Sequence, residues 1–353
     1  MAETRETIVV VSIDTEEDNW YRSRTDIAVQ NVLEVRRLAP FLERLGVRPT
    51  YFTTYQVAIE PRAADTLREA CDDGTAEIGA HLHPWNTPPL TEAFVPPNSM
   101  TKNLAPALQL AKIQRLTRAL EDAFGVRPRA FRAGRYGLGG DTVSALLCCG
   151  YEVDSSVNPF TDLKEMDDGP NFVGAPLNVY RIGWGGDPRR PNPKGELLEV
   201  PLSCGFSRGP FSFWDPARRM LERAPLRWLR LAGAATRAGI VKRLVLCPEL
   251  ASVDEMLTLS RRLLEHGVRH LHISWHSPTL MPGLGPFAAT AKDVSRLYGS
   301  VDAYFDGLSR LTTIKFATVT EAAALLSGRN MAGVAQDVPK VHGGLVGSHH
   351  RER

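Results

Sequence analysis

The sequence has few of the features that mark a disulfide-bonded or nucleic-acid-binding protein. Its 353 residues include only five cysteines, and none of them forms a Cys-x-x-Cys pair. An odd number of cysteines in this pattern fits reduced thiols in a cytosolic protein better than a disulfide framework. Basic and acidic residues nearly balance, at 42 against 40, so the net charge of +2 indicates no nucleic-acid partner.

The sequence also begins without a long apolar run. Its first apolar run covers only residues 8–13. A membrane helix needs about 20 apolar residues, and a secretory signal needs a longer apolar core than this run. We therefore expect a cytoplasmic protein with no transmembrane segment. Hydrophobic residues at 43% and charged residues at 23% are the balance of a globular protein with its own core.

What the sequence does contain is a repeated alternation of strand-like and helix-like segments. The predicted strands are residues 8–13, 50–54, 77–80, 129–132, 151–153, 197–201, 270–275 and 314–317. The predicted helices are residues 29–45, 62–71, 103–124, 141–149, 226–238, 253–265 and 293–308. Repeated strand–helix units indicate a parallel sheet, and about seven or eight of them favour an α/β barrel.

Composition predicts the domain boundaries. Residues 1–329 are expected to form a single domain. Within it, residues 157–215 are rich in glycine and proline and lose periodicity, which indicates an elaborated loop region beside the active site. Residues 330–353 have almost no large apolar side chains and are predicted to be a disordered tail.

Acidic and histidine residues follow the predicted strands where a parallel barrel places its active site. Asp14 and Glu16 follow the first strand, and His81 and His83 follow the third. The alternate spacing within each pair turns both side chains to one side of the chain. Two histidines and one carboxylate form a common catalytic zinc site, because they leave one coordination position for water.

The remaining polar residues at strand ends are less specific. Glu17 and Asp18 fit the cap of a following helix, where acidic side chains are favoured. Arg132, Asp154 and His276 each end a further predicted strand. Random placement would seldom give so many reactive groups at the same edge of a sheet.

As a set, these residues resemble the five motifs of the polysaccharide deacetylases, the NodB-homology or carbohydrate esterase family 4 fold. The matching segments, in order, are Ile13-Asp14-Thr15-Glu16, Gly79-Ala80-His81, Phe131-Arg132-Ala133-Gly134-Arg135-Tyr136, Asp154-Ser155-Ser156 and Ile273-Ser274-Trp275-His276. The resemblance covers roughly residues 8–325. It implies a distorted (β/α) barrel of about seven strands with a divalent metal ion, commonly zinc.

The resemblance also implies a role for each matching residue. Asp14 corresponds to the general base, Glu16 to a metal-ligating acid and His81 to the first histidine ligand. Arg132 corresponds to the arginine that pairs with the base, and Asp154 to the acid that holds this arginine in place.

Two further positions complete the implied catalytic set. Tyr136 matches the residue whose backbone N–H stabilises the oxyanion, and His276 matches the general acid that protonates the leaving amine. Among side chains, histidine has the pKa closest to that task.

The sequence departs from the family pattern in each of the first three motifs. The common second motif has histidines four residues apart, but Trp85 stands four residues after His81. His83, two residues after His81, either binds the metal or lines the substrate cleft. Gly134 stands where proline is usual, and Thr15 stands where the family has an aspartate, so the metal-ligating acid has a longer arm.

Two residues are predicted to contact substrate. Trp85 adjoins the metal motif and is the best candidate for stacking on a sugar. Arg135 is either a substrate contact or a surface residue. The preferred function is a metal-dependent N-deacetylase acting on an amino sugar of a glycan or glycan precursor. The alternatives are a related C–N hydrolase of a formamide or other non-sugar amide, and a non-catalytic carbohydrate-binding homologue.

Overall fold

The computed structural model describes residues 6–20, 25–72, 74–222 and 241–328. In this part of the chain the strands are β1 (Glu6–Thr15), β2 (Pro49–Thr53), β3 (Glu77–Leu82), β4 (Ala130–Ala133), β5 (Val153–Asp154), β6 (Tyr180–Ile182), β7 (Leu197–Glu199), β8 (Cys204–Phe206), β9 (Arg243–Val245), β10 (His270–His276) and β11 (Thr313–Ala317).

The helices of the same residues surround these strands. They are α1 (Val35–Arg44), α2 (Tyr55–Ile59), α3 (Pro61–Cys71), α4 (Pro106–Phe124), α5 (Gly140–Cys148), α6 (Phe211–Glu222), α7 (Val253–Glu265), α8 (Ala291–Ser309) and α9 (Val319–Ser327). Short 3-10 helices cover Gln30–Glu34, Pro96–Ser99, Thr101–Asn103, Gly134–Tyr136 and Ser277–Leu280. Among the described residues, no helix is both long and apolar enough to cross a membrane.

The main sheet has the strand order β10-β1-β2-β3-β4-β5-β7-β6. Neighbours from β10 to β7 pair in parallel, and β6 joins β7 in antiparallel orientation. On one edge of β1, its first half pairs with β11 and its second half with β2. This arrangement, in which every strand of the sheet except β6 pairs in parallel, confirms the predicted distorted (β/α) barrel.

The barrel is closed between β7 and β10 by extended chain rather than by a long strand. The His272 backbone N–H donates to Ser203 Oγ at 2.8 Å. Ser274 and Ser203 both bond to the backbone of Leu246, with N···O distances of 3.1 and 2.9 Å. β8 and β9 form a separate antiparallel pair directly beside this contact.

Alternate residues of β1 enter two different environments. Val9, Val11 and Ile13 belong to the large apolar cluster that includes the surrounding helices. Ile8 and Val10 belong to a second cluster, to which α9 contributes Val319, Ala322 and Ala323. Because side chains alternate along a strand, Ser12 and Asp14 continue the Ile8–Val10 side towards the carboxyl end of β1. The strand register therefore sets the position of the site.

Residues 157–215 contain short strands as well as loops. They include β6, β7 and β8 and the beginning of α6. Each of these strands has only three residues, too few to produce a recognisable periodicity. The predicted strand 197–201 is confirmed for Leu197–Glu199.

The predicted helix 29–45 is divided in the structure. Gln30–Glu34 is a 3-10 helix, and α1 follows from Val35. The Asp18 carboxylate accepts hydrogen bonds from the backbone N–H groups of Gln30 and Asn31 at 2.9 and 3.1 Å. Asp18 therefore caps a helix start, as predicted. The predicted helix 226–238 and tail 330–353 lie outside the described residues, and the single-domain boundary stays a prediction.

Candidate active site and metal centre

Three side chains that follow β1 or end β3 lie around one point. Glu16 Oε2 lies 3.6 Å from His81 Nε2 and 3.3 Å from His83 Nε2. One possible ligand atom from each of the three residues lies within 4.8 Å of the others. All three side chains are buried. The structure therefore brings together the predicted ligand set, including His83.

The remaining atoms of these side chains fit a metal site. His81 Nδ1 bonds to the carbonyl oxygen of Arg132 at 3.0 Å, and His83 Nδ1 bonds to Glu17 Oε2 at 3.0 Å. A histidine whose Nδ1–H is used in this way presents its Nε2 lone pair to a cation. Glu16 Oε1 is buried without a hydrogen-bond partner. An uncompensated carboxylate oxygen beside two imidazole nitrogens is a donor set that suits a divalent metal ion.

Glu17 has a role that sequence reasoning missed. Instead of capping a helix, its carboxylate binds His83 and accepts a hydrogen bond from Thr54 Oγ1 at 2.6 Å. Carboxylate–histidine pairs of this kind orient metal ligands. The only sequence signal was the position of Glu17 directly after Glu16, which also fitted a cap.

Electrostatics keep Glu16 ionised. Burial raises its pKa, but hydrogen bonds from His81 and His83 outweigh burial and lower the pKa to about 2. Burial likewise lowers the pKa of His83, while Glu16 and Glu17 together raise it to about 9. The pocket thus stabilises positive charge next to the Glu16 carboxylate, and a bound cation would take the place of the histidine proton.

Asp14 adjoins this cluster and pairs with Arg132. Asp14 Oδ1 accepts a hydrogen bond from the guanidinium at 2.5 Å, and Asp14 Oδ2 lies 3.9 Å from His81 Nε2. Burial raises the pKa of Asp14, but the charges of Arg132 and His81 hold it well below its usual range. An ionised carboxylate that is only partly exposed and lies next to a possible metal site can accept a proton from water.

Arg132 is held by different residues from the one predicted. Its Nε and one terminal nitrogen donate to the backbone oxygen and Oγ of Ser155, at 2.9 and 3.1 Å. The same terminal nitrogen lies 3.2 Å from His272 Nε2. Burial, and then the charge of Arg132, lower the pKa of His272 well below its usual value, so its imidazole is neutral and can accept this bond. Arg132 thus donates its hydrogen bonds to Ser155 and His272, where the sequence predicted that Asp154 would hold it.

Asp154 instead pairs with Glu199 across β5 and β7. Its carboxylate accepts hydrogen bonds from the backbone N–H and hydroxyl of Ser156, at 2.9 and 2.8 Å. Both acids are fully buried, and their strands place them directly opposite each other. Burial raises the pKa of both, and the Asp154 charge raises that of Glu199 further, so the pair retains a proton. The charge of Asp154 acts on Arg132 only over a distance.

His276, at the end of β10, pairs with a second residue that the sequence analysis missed. His276 Nδ1 lies 2.7 Å from Glu249 Oε2, and the His276 backbone N–H donates to Glu249 Oε1 at 3.1 Å. Thr279 also donates to Glu249, whose side chain is completely buried. Burial lowers the pKa of His276, but the Glu249 carboxylate outweighs burial and raises the pKa to about 10.

Glu249 gave no usable signal in the sequence. It follows β9, which has only three residues and pairs with β8 outside the main sheet. An acid after so short a strand cannot be distinguished from an ordinary surface acid by pattern alone. Its burial and its contact with His276 come from the closure of the barrel between β7 and β10.

Tyr136 and Arg135 lie in the turn after β4, in an unusual backbone conformation. Their φ angles are +60° and +53°, in the left-handed region that non-glycine residues rarely adopt. Burial raises the pKa of the Tyr136 hydroxyl to about 12, so this group stays neutral. Arg135 forms an ion pair with Asp167 at 2.8 Å and donates to Ser99. It therefore joins two loops, and its predicted contact with substrate stays untested.

Trp85 is packed against His83, one of the possible metal ligands. Only 7% of its surface is exposed, and its ring stacks on His83 with centroids 4.2 Å apart. Trp20 is partly exposed, and its ring lies 6.5 Å from Trp85 and 6.4 Å from His276. Phe287 is also partly exposed, and its ring lies 5.9 Å from that of His276. Trp20 and Phe287 are therefore better placed than Trp85 to meet a ligand.

Comparisons with known proteins give one family match and several solved structures of similar fold. Residues 28–153 match the family model described as polysaccharide deacetylase. A structure from Mycobacterium smegmatis, named as a candidate polysaccharide deacetylase, has a TM-score of 0.51 at 15% identity, over 93% of each chain. A search of curated proteins found no match.

Two further solved structures have lower similarity. A family 4 acetyl xylan esterase from Clostridium thermocellum, in complex with a cobalt ion, has a TM-score of 0.42 at 13% identity, over 90% of this chain and 91% of the other. A CE4 family pseudoenzyme from Bacillus anthracis has a TM-score of 0.42 at 12% identity, over 93% of this chain and 67% of the other.

The likeness to the Mycobacterium smegmatis structure concerns the fold. Parallel strands in this order, curled into a barrel with helices outside, form the distorted (β/α) barrel of the NodB-homology proteins. The family model described as polysaccharide deacetylase matches residues 28–153, and the motifs of the chain resemble the same family.

Proposed function

We propose that this protein is a metal-dependent hydrolase that removes an N-acyl group, most simply acetyl, from an amino sugar of a glycan or glycan precursor. The observation that carries the proposal is the convergence of three possible metal ligands with two charged pairs. The ligands are Glu16, His81 and His83. The pairs are Asp14 with Arg132 and His276 with Glu249.

The metal centre would hold a divalent ion, zinc being the first candidate for two imidazoles and a carboxylate. When bound there, such an ion activates water and polarises the acyl carbonyl. Glu17 and the Arg132 carbonyl fix the two histidine rings for this purpose, through bonds of 3.0 Å each.

The base of the proposed reaction is Asp14. Arg132 keeps its carboxylate ionised, so that it can accept a proton as water adds to the amide carbon. The backbone N–H of Tyr136 is proposed to donate to the developing oxyanion, and one such donor lowers a barrier by about 3–4 kcal/mol.

The acid of the proposed reaction is His276. When the carbon–nitrogen bond breaks, the leaving nitrogen must gain a proton, and Glu249 keeps His276 protonated for this step. The products are then a carboxylate and a free amino group. Trp20 and Phe287, whose rings lie 6.4 and 5.9 Å from that of His276, are proposed to contact the sugar or its acyl group.

The proposal is tested with purified protein and a panel of N-acetylated compounds. The panel contains chitooligosaccharides, a nucleotide-linked N-acetylamino sugar, a lipid-linked one, and formamide and cyclic-amide controls. Acetate or formate release is followed by NMR, and bound metal is measured by elemental analysis. Release from an amino-sugar amide supports the proposal. Release only from non-sugar amides would assign the site to a different C–N hydrolase, and no bound metal with no turnover would support a carbohydrate-binding role.

A further inference from the structure

Gly134, in the turn after β4, lies against a metal ligand. A Cβ atom built on Gly134 would lie 2.4 Å from His83 Cδ2 and 3.1 Å from His83 Nε2. It would also lie 2.7 Å from the carbonyl oxygen of Leu82. The first of these distances is far below normal contact, so any side chain at position 134 would displace the His83 ring.

The His83 ring has no room to move away from this contact. Trp85 covers one face, with ring centroids 4.2 Å apart and planes inclined by 24°. Glu17 holds Nδ1 at 3.0 Å, and Nε2 points towards Glu16 Oε2 at 3.3 Å. The ring of His81 lies 4.7 Å from that of His83, and the bare backbone of Gly134 forms a further wall of the slot that the His83 ring fits.

We propose that Gly134 is a positioning residue for the metal centre, because the absence of a side chain there allows His83 to serve as a ligand. The sequence departs from the family's motif pattern with a histidine at position 83 and with a glycine at position 134. The two departures then depend on each other, because the glycine leaves the space that the histidine ring fills. A chain with a larger residue at position 134 cannot hold His83 in the same place. This inference rests on the proposed metal site and deepens it.

The test measures metal affinity rather than turnover. Metal-stripped wild type, Gly134→Ala, His83→Ala and the double variant are titrated with Zn²⁺ against a chelating dye, and with Co²⁺ by visible absorption. Gly134→Ala should weaken binding by about 10–100-fold, the usual effect of disturbing the support of a ligand. In the double variant, Gly134→Ala should not weaken metal binding beyond the level of His83→Ala alone, because the side chain that it displaces has already been removed.

A neighbouring glycine supplies the matched control. A Cβ on Gly137 would lie 2.8 Å from the backbone nitrogen of Thr101, and its next nearest atoms belong to Met100 rather than to a proposed metal ligand. Gly137→Ala should therefore lower the melting temperature while metal affinity stays at the wild-type value. If Gly134→Ala does not fold, recovery of folding by adding His83→Ala supports the contact, and failure of both variants overturns it.

The remaining outcomes separate this inference from the proposed function. Wild-type affinity in Gly134→Ala, or equal losses with and without His83, would overturn the inference while the metal site stands. Metal binding that follows the expected pattern without any deacetylation would contradict the proposed activity and leave the role of Gly134 intact. A wild-type protein that binds neither Zn²⁺ nor Co²⁺ would overturn both.

Discussion

Replacing Glu249 by glutamine should move the alkaline limit of activity to lower pH. Glutamine keeps nearly the same shape and can still accept a hydrogen bond, but it lacks the charge that stabilises protonated His276. That charge counteracts burial and holds the pKa of His276 at about 10. A metal ion bound to Glu16 would cancel part of the other negative charge nearby, which leaves Glu249 as the main partner of His276.

The expected loss of activity follows from the fraction of His276 that is protonated at each pH. If the pKa of His276 returns to its ordinary value of 6.5, only about one molecule in a hundred carries the proton at about pH 8.5. Glu249→Gln should therefore lower kcat/KM for an amide substrate by about 100-fold at that pH, and by only about twofold near pH 6.5. The assay is a pH profile of acetate release for wild type and variant.

An aryl acetate ester is the internal control for this experiment. Nitrophenolate leaves without needing a proton, so ester hydrolysis by the same variant should stay near the wild-type rate at high pH. Superimposable pH profiles for amide hydrolysis, or equal losses on ester and amide, would refute the assignment of Glu249 as the residue that keeps His276 protonated.

Other predictions concern the metal, the base and two buried charges. Chelation should abolish turnover and added Zn²⁺ or Co²⁺ should restore it, with unchanged circular dichroism; activity that survives complete metal removal would contradict the site. Asp14→Asn should lower kcat by about 10²–10⁴-fold without changing metal stoichiometry, so a loss of metal would show a structural role instead. Lys112 is fully buried, donates to the carbonyl oxygens of residues 84, 87 and 89, and pairs with Glu92 at 2.9 Å. Lys112→Met should therefore destabilise the protein by about 3–5 kcal/mol in urea unfolding, and a wild-type midpoint would show that these bonds add nothing. Burial and Asp154 raise the pKa of Glu199 well above 4.5. Its contribution to the free energy of unfolding is therefore complete below pH 4.5 and is lost as the pH rises through the raised pKa. Relative to wild type, Glu199→Gln should therefore gain stability towards alkaline pH, and a constant difference across the pH range would argue against the shared proton.

The strand ends were predictable because the relevant signal is local. Asp14 and Glu16, like His81 and His83, lie two residues apart at the end of an apolar run. Alternation along an extended chain fixes their common direction whatever the neighbouring strands are. The motif resemblance then implied a role for each of these residues, and the structure places Glu16, His81 and His83 together.

The supporting residues were not predictable, because each depends on a long-range contact. Ser155 was passed over in favour of Asp154, since only the register of β5 against β7 turns Asp154 towards Glu199. Glu17 looked like a helix cap until the site placed it against His83. An acidic side chain fits several local interpretations, and only its three-dimensional neighbours choose among them.

The sequence by itself determined a parallel α/β barrel, the polar residues at its strand ends and the family that its motifs resemble. Only the tertiary structure decided that His83 joins Glu16 and His81, that Glu249 partners His276, and that Gly134 leaves the space His83 occupies. Periodicity records how a residue faces its own strand. Strand order, register and barrel closure decide what that residue meets, and those depend on contacts between residues far apart in the chain.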